Sequence, residues 1–302
     1  MNTASPEAPL QAMLAAMRQI REQARSIFDP IEFRQFAAGL DAPATILDPA
    51  LPFTETLVGG IRCERVGEVA DGPVLLYLHG GGFMLPPHNG YRLALQKMTR
   101  RLAVEALMPR YRLTPEHPFP AAVDDCLAVY VELVRRGRRV VIAGDSAGGG
   151  LAVSLVLRAA RDGWPAPVAL YLMSPFTDLA CSGSSVFTKS AVDACNFPEA
   201  LLHKSYHYLA GRSPTDPIAS PFYGDLRGLP PTLIHVGGDE IMLDDSVRFA
   251  ERALQQGSPV TCKVYTGMPH VFPTLPFIPE CEAALMVGTD FLARQLAGTG
   301  PV

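Results

Sequence analysis

Charge is scarce in this chain. Lys, Arg, Asp and Glu make up 19% of 302 residues against 48% hydrophobic, and the formal net charge is −4. Lys and Arg are spread rather than clustered, so there is no basic field for nucleic acid or for an anionic lipid surface; neither a nucleic-acid partner nor stable membrane association is expected. The six cysteines, Cys63, Cys126, Cys181, Cys195, Cys262 and Cys281, contain no C-x-x-C pair, which argues against a zinc or redox dithiol site and reads as free core thiols. His203 and His207 stand four apart, but Lys204 occupies the place of the glutamate in H-E-x-x-H, so no metal is expected. No internal repeat and no low-complexity segment is visible. The opening MNTASPEAPLQAML lacks a basic region ahead of an apolar core, hence no secretory leader is read, and with reduced thiols this predicts a cytoplasmic location. A chain of this length and apolarity can bury a large core.

What is present is organised around Val140 to Ala160, VVIAGDSAGGGLAVSLVLRAA. Val140, Val141, Ile142 and Ala143 form the short apolar run of a fully buried parallel strand, and Leu151, Val153, Leu155, Val156 and Leu157 continue into a helix closed near Gly163. Between them Gly144-Asp145-Ser146-Ala147-Gly148 fits G-x-S-x-G, a strained strand-to-helix turn that exposes a serine hydroxyl. The stretch is long enough to suggest a membrane span, but Asp145 and the glycine cluster sit inside it and no aromatic or basic anchors flank both ends. It meets neither G-x-G-x-x-G nor the Gly-Lys-Ser/Thr of a phosphate-binding loop.

In chain order, Leu10 to Phe28 places Leu10, Met13, Leu14, Met17, Ile20, Ala24 and Ile27 at helical spacing and predicts an amphipathic helix that packs on the body and covers a cleft. Phe53 to Val58 and Ile61 to Val66 flank Gly59-Gly60 and read as a hairpin. Strand and helix then alternate: strands near Val74 to Leu78, Val104 to Met108, Val168 to Met173, Thr232 to Val236 and Val260 to Tyr265, with helices near Tyr91 to Leu102, Ala121 to Arg136, Ser246 to Gln256 and Glu280 to Gln295. That rhythm specifies an α/β fold with a mainly parallel sheet covered on both faces. One connection, from Met173 to Thr232, is too long for a simple crossover and holds a helix at Pro198 to Leu209. The expected division is therefore an N-terminal helical cap segment, 1–50, a catalytic domain, 51–181 and 213–302, and a cap insertion, 182–212.

Two glycine-rich segments carry the chemistry. His79-Gly80-Gly81-Gly82-Phe83 follows directly on a strand, and its unobstructed backbone N–H groups suit a developing oxyanion. A serine nucleophile needs a base, itself oriented by a carboxylate. Past the last strands stand Asp239, in Gly237-Gly238-Asp239-Glu240, and His270, in Gly267-Met268-Pro269-His270. The order Ser146, Asp239, His270 differs from those of chymotrypsin and subtilisin. Asp244 and Asp245, just before a helix, are read as N-caps; His79, His88, His117 and His235 are read as structural. Phe83, Met84, Phe187, Phe197 and Phe272 are candidate pocket walls, although core packing accounts for each equally well.

HGGGF at His79, YRLTPEHPFPAAVDD from Tyr111, GDSAGGGLA from Gly144, DPIASPFYGDLRGLPPTLIHVGGDE from Asp216 and GMPHVF from Gly267 resemble, in this order, the bacterial hormone-sensitive-lipase-like (family IV) esterases of the α/β-hydrolase superfamily. The resemblance runs from about Val74 to Leu292. It implies a capped α/β-hydrolase fold without metal or organic cofactor, acting on small-molecule carboxylic esters of short or medium acyl chain. On this chain it makes Ser146 the nucleophile, His270 the base, Asp239 its orienter, and Gly81, Gly82 and Ala147 the backbone oxyanion donors. Homodimers through an edge strand or edge helix are common in that family. Two departures stand out: Pro109-Arg110 where an Asp often precedes YRL, and Glu240-Ile241 in place of the common Pro-Leu after the triad Asp. A lactone hydrolase or amidase with the same triad is the alternative within enzymes, and a non-catalytic small-molecule receptor the alternative outside them.

Overall fold

In a computed structural model, residues 8–68 and 71–299 are described; the first seven residues of the 1–50 segment and of the stretch from which the absence of a leader was read, and the last three residues of the chain, lie outside this range. Two helices open the chain, α1 (Ala8–Ala24) and α2 (Pro30–Ala38). The helix expected over Leu10 to Phe28 thus ends earlier, because Asp29 caps a new helix by accepting from the N–H groups of Ile31 and Glu32, with Pro30 at its first position. The order then runs β1 (Phe53–Val58), β2 (Ile61–Val66), β3 (Val74–Leu78), α3 (Asn89–Leu102), β4 (Glu105–Pro109), α4 (Ala121–Arg135), β5 (Val140–Asp145), α5 (Ser146–Arg161), β6 (Ala169–Met173), α6 (Ser185–Thr188), α7 (Pro198–Leu209), β7 (Thr232–Gly237), α8 (Leu243–Gln255), β8 (Val260–Tyr265) and α9 (Pro279–Ala297).

Among the described residues eight strands form one sheet in the order β1-β2-β4-β3-β5-β6-β7-β8. The hairpin β1–β2 and the β2–β4 pair are antiparallel, and the remaining neighbours are parallel. Alternation within the central strands divides the core. Val74, Leu76, Leu78, Val140, Ile142, Leu170 and Leu172 face α4, α5 and α8, while Leu75, Tyr77, Val141, Ala143, Ala169, Tyr171 and Met173 face α3 and α9. Strands apolar on both faces are what a sheet sandwiched between helices demands.

Arg110, where the resemblance leads one to expect an acid, is accommodated by Glu64 of β2. Its Nε and Nη2 reach Glu64 Oε1 at 3.1 and 3.0 Å, and Arg92 takes both Glu64 oxygens at 2.7 Å. Burial works against the Glu64 charge, yet the two guanidiniums outweigh it and hold the carboxyl below its ordinary range.

Asp244 and Asp245 lie within the first turn of α8 and do not cap it; they reach outward instead. Asp244 accepts from the Ser184 hydroxyl and the Ser185 N–H, and Asp245 Oδ2 accepts from the N–H groups of Thr177 and Asp178, both at 2.9 Å. The helix start thereby holds the loop that leaves β6.

Burial pushes the Asp245 carboxyl up to about 8; the backbone N–H bonds oppose this and nearby Asp178 adds to it. An acid whose folded pKa is raised keeps its proton in the fold after the unfolded chain has lost it, so it costs stability increasingly between about pH 4 and 8. Relative to a variant that cannot titrate at this position, the urea midpoint is expected to fall across that range. Asp245→Asn, whose amide oxygen accepts the same N–H groups, should remove a slope of up to about 1.4 kcal/mol per pH unit. Equal slopes for the two proteins would refute this account.

Candidate active site

The turn between β5 and α5 puts Ser146 at φ +50°, a left-handed conformation that a non-glycine residue adopts at a cost. The turn closes because Gly148 lets α5 press against β3; a Cβ there would lie 2.0 Å from the Leu78 carbonyl oxygen. Ala147 sits in the first turn of α5, where backbone N–H groups have no acceptor within the helix. The glycine loop after β3 is tied to the same turn: Asp145 Oδ1 accepts from the Gly80 N–H at 3.0 Å and from the Tyr77 hydroxyl at 2.9 Å. Burial pushes the Asp145 carboxyl up to about 6 against the pull of these donors. Gly81 and Gly82, at φ +97° and +63°, continue this loop. The residues expected as oxyanion donors therefore lie on two segments that Asp145 joins.

His270 Nε2 is 3.0 Å from Ser146 Oγ, and His270 Nδ1 is 2.5 Å from Glu240 Oε2. The acid beside the imidazole is thus Glu240 and not Asp239, which corrects the expectation from sequence. The chain leaving β7 is pinned by Gly238 N–H to Tyr265 O and Asp239 N–H to Met268 O. This turn leaves the Asp239 side chain 41% exposed, 3.7 Å from Lys189 Nζ, and sends Glu240 inward to full burial. The longer glutamate then reaches the ring. Its second oxygen, Oε1, accepts from the Gly237 N–H and from the Ser174 hydroxyl, each at 2.7 Å. Ser174 Oγ also accepts from the Val271 N–H at 3.0 Å, so it links the acid to the loop carrying the histidine. The signal available for Glu240 was the pair of adjacent carboxylates together with the missing Pro-Leu; for Ser174, just after a strand, the sequence held none.

Burial disfavours the charged imidazole of His270, but Glu240 beside it outweighs burial and raises the pKa above the ordinary 6.5. Five of the other six histidines meet partners elsewhere. His79 is buried, stacks on Tyr111 at 4.3 Å and has Nδ1 2.8 Å from the Gly80 carbonyl oxygen. His88 Nδ1 accepts from the Gly90 N–H, and His235 Nδ1 meets the Tyr171 hydroxyl at 3.1 Å. His203 and His207 face one another at 3.0 Å between their Nε2 atoms; among the described residues no group of three or more His, Cys, Asp or Glu is placed to hold a metal ion.

A cavity of about 350 Å³ opens beside this centre, walled by α1, α2, α7 and the segments around Met84 and Cys195. Of the expected wall residues, Met84 and Phe197 line it. Phe83 does not, because its ring is stacked on Tyr208 at 3.8 Å in the core. Phe187 is 69% exposed on the short α6, and Phe272 is buried against Tyr265, Ile278 and Cys281. Two arginines tie the segments around the cavity together. Arg21 of α1 donates to the carbonyls of Asn196 and Ser190 at 3.0 and 2.9 Å, and Arg34 of α2 donates to those of Met84 and Thr114 at 3.0 and 2.8 Å.

Comparison with known proteins gives the family. A family model described as alpha/beta hydrolase fold matches residues 75–274. An acetyl-hydrolase of Streptomyces hygroscopicus is 43% identical over 235 residues, 76% of this chain and 78% of that protein. An esterase of Acinetobacter venetianus is 37% identical over 250 residues, covering 81% and 82%. The crystal structure of an esterase from the bacterial hormone-sensitive lipase family superposes with a TM-score of 0.88 at 34% identity, over 97% of this chain and 99% of that one. With matches of this extent on top of a serine–histidine pair at the sheet's C-terminal edge, the chain belongs to the α/β-hydrolase family as a carboxylesterase of the bacterial hormone-sensitive-lipase type.

Proposed function

We propose that the protein hydrolyses carboxylic esters of short to medium acyl chain through an acyl-enzyme on Ser146, with His270 as general base and acid and Glu240 as its orienting carboxylate. The observation that carries this reading is the continuous hydrogen-bonded path from Glu240 Oε2 through the imidazole to Ser146 Oγ, at 2.5 and 3.0 Å. Ser146 Oγ bonds to the ester carbonyl carbon as its proton passes to His270 Nε2. The carbonyl oxygen gains charge and is held by the backbone N–H groups of Gly81, Gly82 and Ala147, each worth about 3 kcal/mol in the transition state. Collapse breaks the C–O bond, and His270 returns the proton to the departing alcohol. A water molecule that gives its proton to His270 then attacks the acyl carbonyl, the bond to Ser146 Oγ breaks as His270 returns the proton to that oxygen, and the acid is released.

Glu240 keeps Nδ1 protonated, so that Nε2 is free to accept, and stabilises the imidazolium that forms. In this scheme α1, α2 and the segment 182–212 act as the cap. The cavity volume suits a short or medium chain, and the acetyl-hydrolase among the relatives supports a small acyl group.

The reading is tested with p-nitrophenyl esters from acetate to palmitate. Short chains should turn over fastest, and Ser146→Ala should lower kcat by roughly 10⁶. Activity surviving in that variant would mean another nucleophile. Glu240→Gln should cost about 10³ to 10⁴ in kcat, whereas Asp239→Asn, altering an exposed pair, should leave kcat/KM within about twofold; the reverse ranking would restore Asp239.

Because His270 must be neutral to accept the proton, kcat/KM should rise with pH through a midpoint above 6.5. Glu240→Gln removes the charge that raises this pKa and leaves burial, so the acid limb of the residual activity should move to lower pH. An unmoved limb would assign it to another group.

A further inference from the structure

Lys204 is a charged lining group whose chemistry the ester hydrolysis above leaves unused. It stands on α7 with its stem laid across the oxyanion loop: a Cβ at Gly82 would lie 2.7 Å from Lys204 Cδ and 3.0 Å from its Cγ and Cε. Past that contact the ammonium donates to Asn196 Oδ1 at 3.0 Å, its one hydrogen-bond acceptor among the described residues. An ammonium has three N–H groups. Asp193, whose field acts on Lys204, is committed to the main chain: Oδ1 accepts from the N–H groups of Cys195 and Asn196, and Oδ2 accepts from that of Ile241 at 2.7 Å. Lys204 is half-buried and lines the cavity, and burial depresses its pKa.

Arg21 and Lys204 are the cations that line the cavity amid apolar side chains, burial keeps His88 and His203 below the ordinary imidazole range, and among the described residues no Asp or Glu lines it. Arg21 has given Nε and Nη2 to backbone carbonyls, so Lys204 is the cation with donors in hand. The cavity adjoins the loop expected to hold the oxyanion, since Leu85 and Lys204, on its wall, pack against Gly81 and Gly82. A neutral chain filling this space would strip water from the ammonium and return nothing; a carboxylate would pair with it.

We propose that Lys204 is a specificity-determining residue that binds the free carboxylate of an ester carrying an acid group, so that anionic hemi-esters are favoured over neutral esters of the same size. The proposal rests on the esterase reading above. Hydrolysis by the full chain is followed in a pH-stat with two matched pairs. Monomethyl glutarate against methyl isoheptanoate puts the charge on the acyl side, and γ-acetoxybutyrate against isohexyl acetate puts it on the alcohol side. The wild type should favour one anionic probe over its neutral partner in kcat/KM by on the order of tenfold or more, chiefly through KM. Lys204→Met, which keeps the stem over Gly82, should bring that ratio to one or below, and Lys204→Arg should retain a preference for the anion. Turnover of the neutral esters with no preference for either anionic probe overturns the proposal even if Lys204→Met fails to fold, as does a preference that survives Lys204→Met. Turnover of none of the four by the wild type overturns the esterase reading instead.

Discussion

One buried carboxylate gathers the ends of three strands. Glu240 takes a hydroxyl from the residue after β6, an N–H from the last residue of β7 and the imidazole that follows β8. A desolvated charge is tolerable only when its lone pairs are met by donors, and here each donor comes from a different strand end. The alignment of the histidine with the serine is thus a property of the sheet's edge as a unit. Ser174 extends the same logic, since its hydroxyl holds the acid with one lone pair free for the Val271 N–H.

The fold was legible because its signals are local and repeated. Apolar runs such as Val74 to Leu78 and Val168 to Met173 leave few options other than buried parallel strands, and the observed bounds differ from those expected by only a residue or so at most elements. Ser146 and His270 were legible for a related reason, as each follows a strand in a glycine-bearing turn. Asp239 against Glu240 could not be decided that way. Which of two neighbouring carboxylates points inward depends on hydrogen bonds from the turn to Tyr265 and Met268, residues nearly thirty positions away. The same limit explains the aromatic residues. Phe83 and Phe197 look alike in sequence, yet one is stacked on Tyr208 and the other borders open space. The break at Asp29 between the first two helices was readable from its capping chemistry and the following proline, but the apolar periodicity on either side masked it.

The cavity depends on contacts of a different kind from those of the sheet. Its walls meet through arginines that donate to backbone carbonyls, Arg21 to the segment before α7 and Arg34 to the Met84 carbonyl. Such bonds recognise the path of the main chain and are indifferent to the side chains carried there, so the wall residues can differ while the clasp holds.

That division of labour bears on how the molecule is inherited. Ser146, Glu240 and His270 stand at the ends of the strands, whereas half of the residues lining the cavity come from residues 17–40. That half of the wall is encoded apart from the reacting groups, at the start of the gene. Under the function proposed above, drift in the opening helices would retune which esters are admitted across generations without any change at the strand ends, and two descendants would share every reacting atom while living on different compounds.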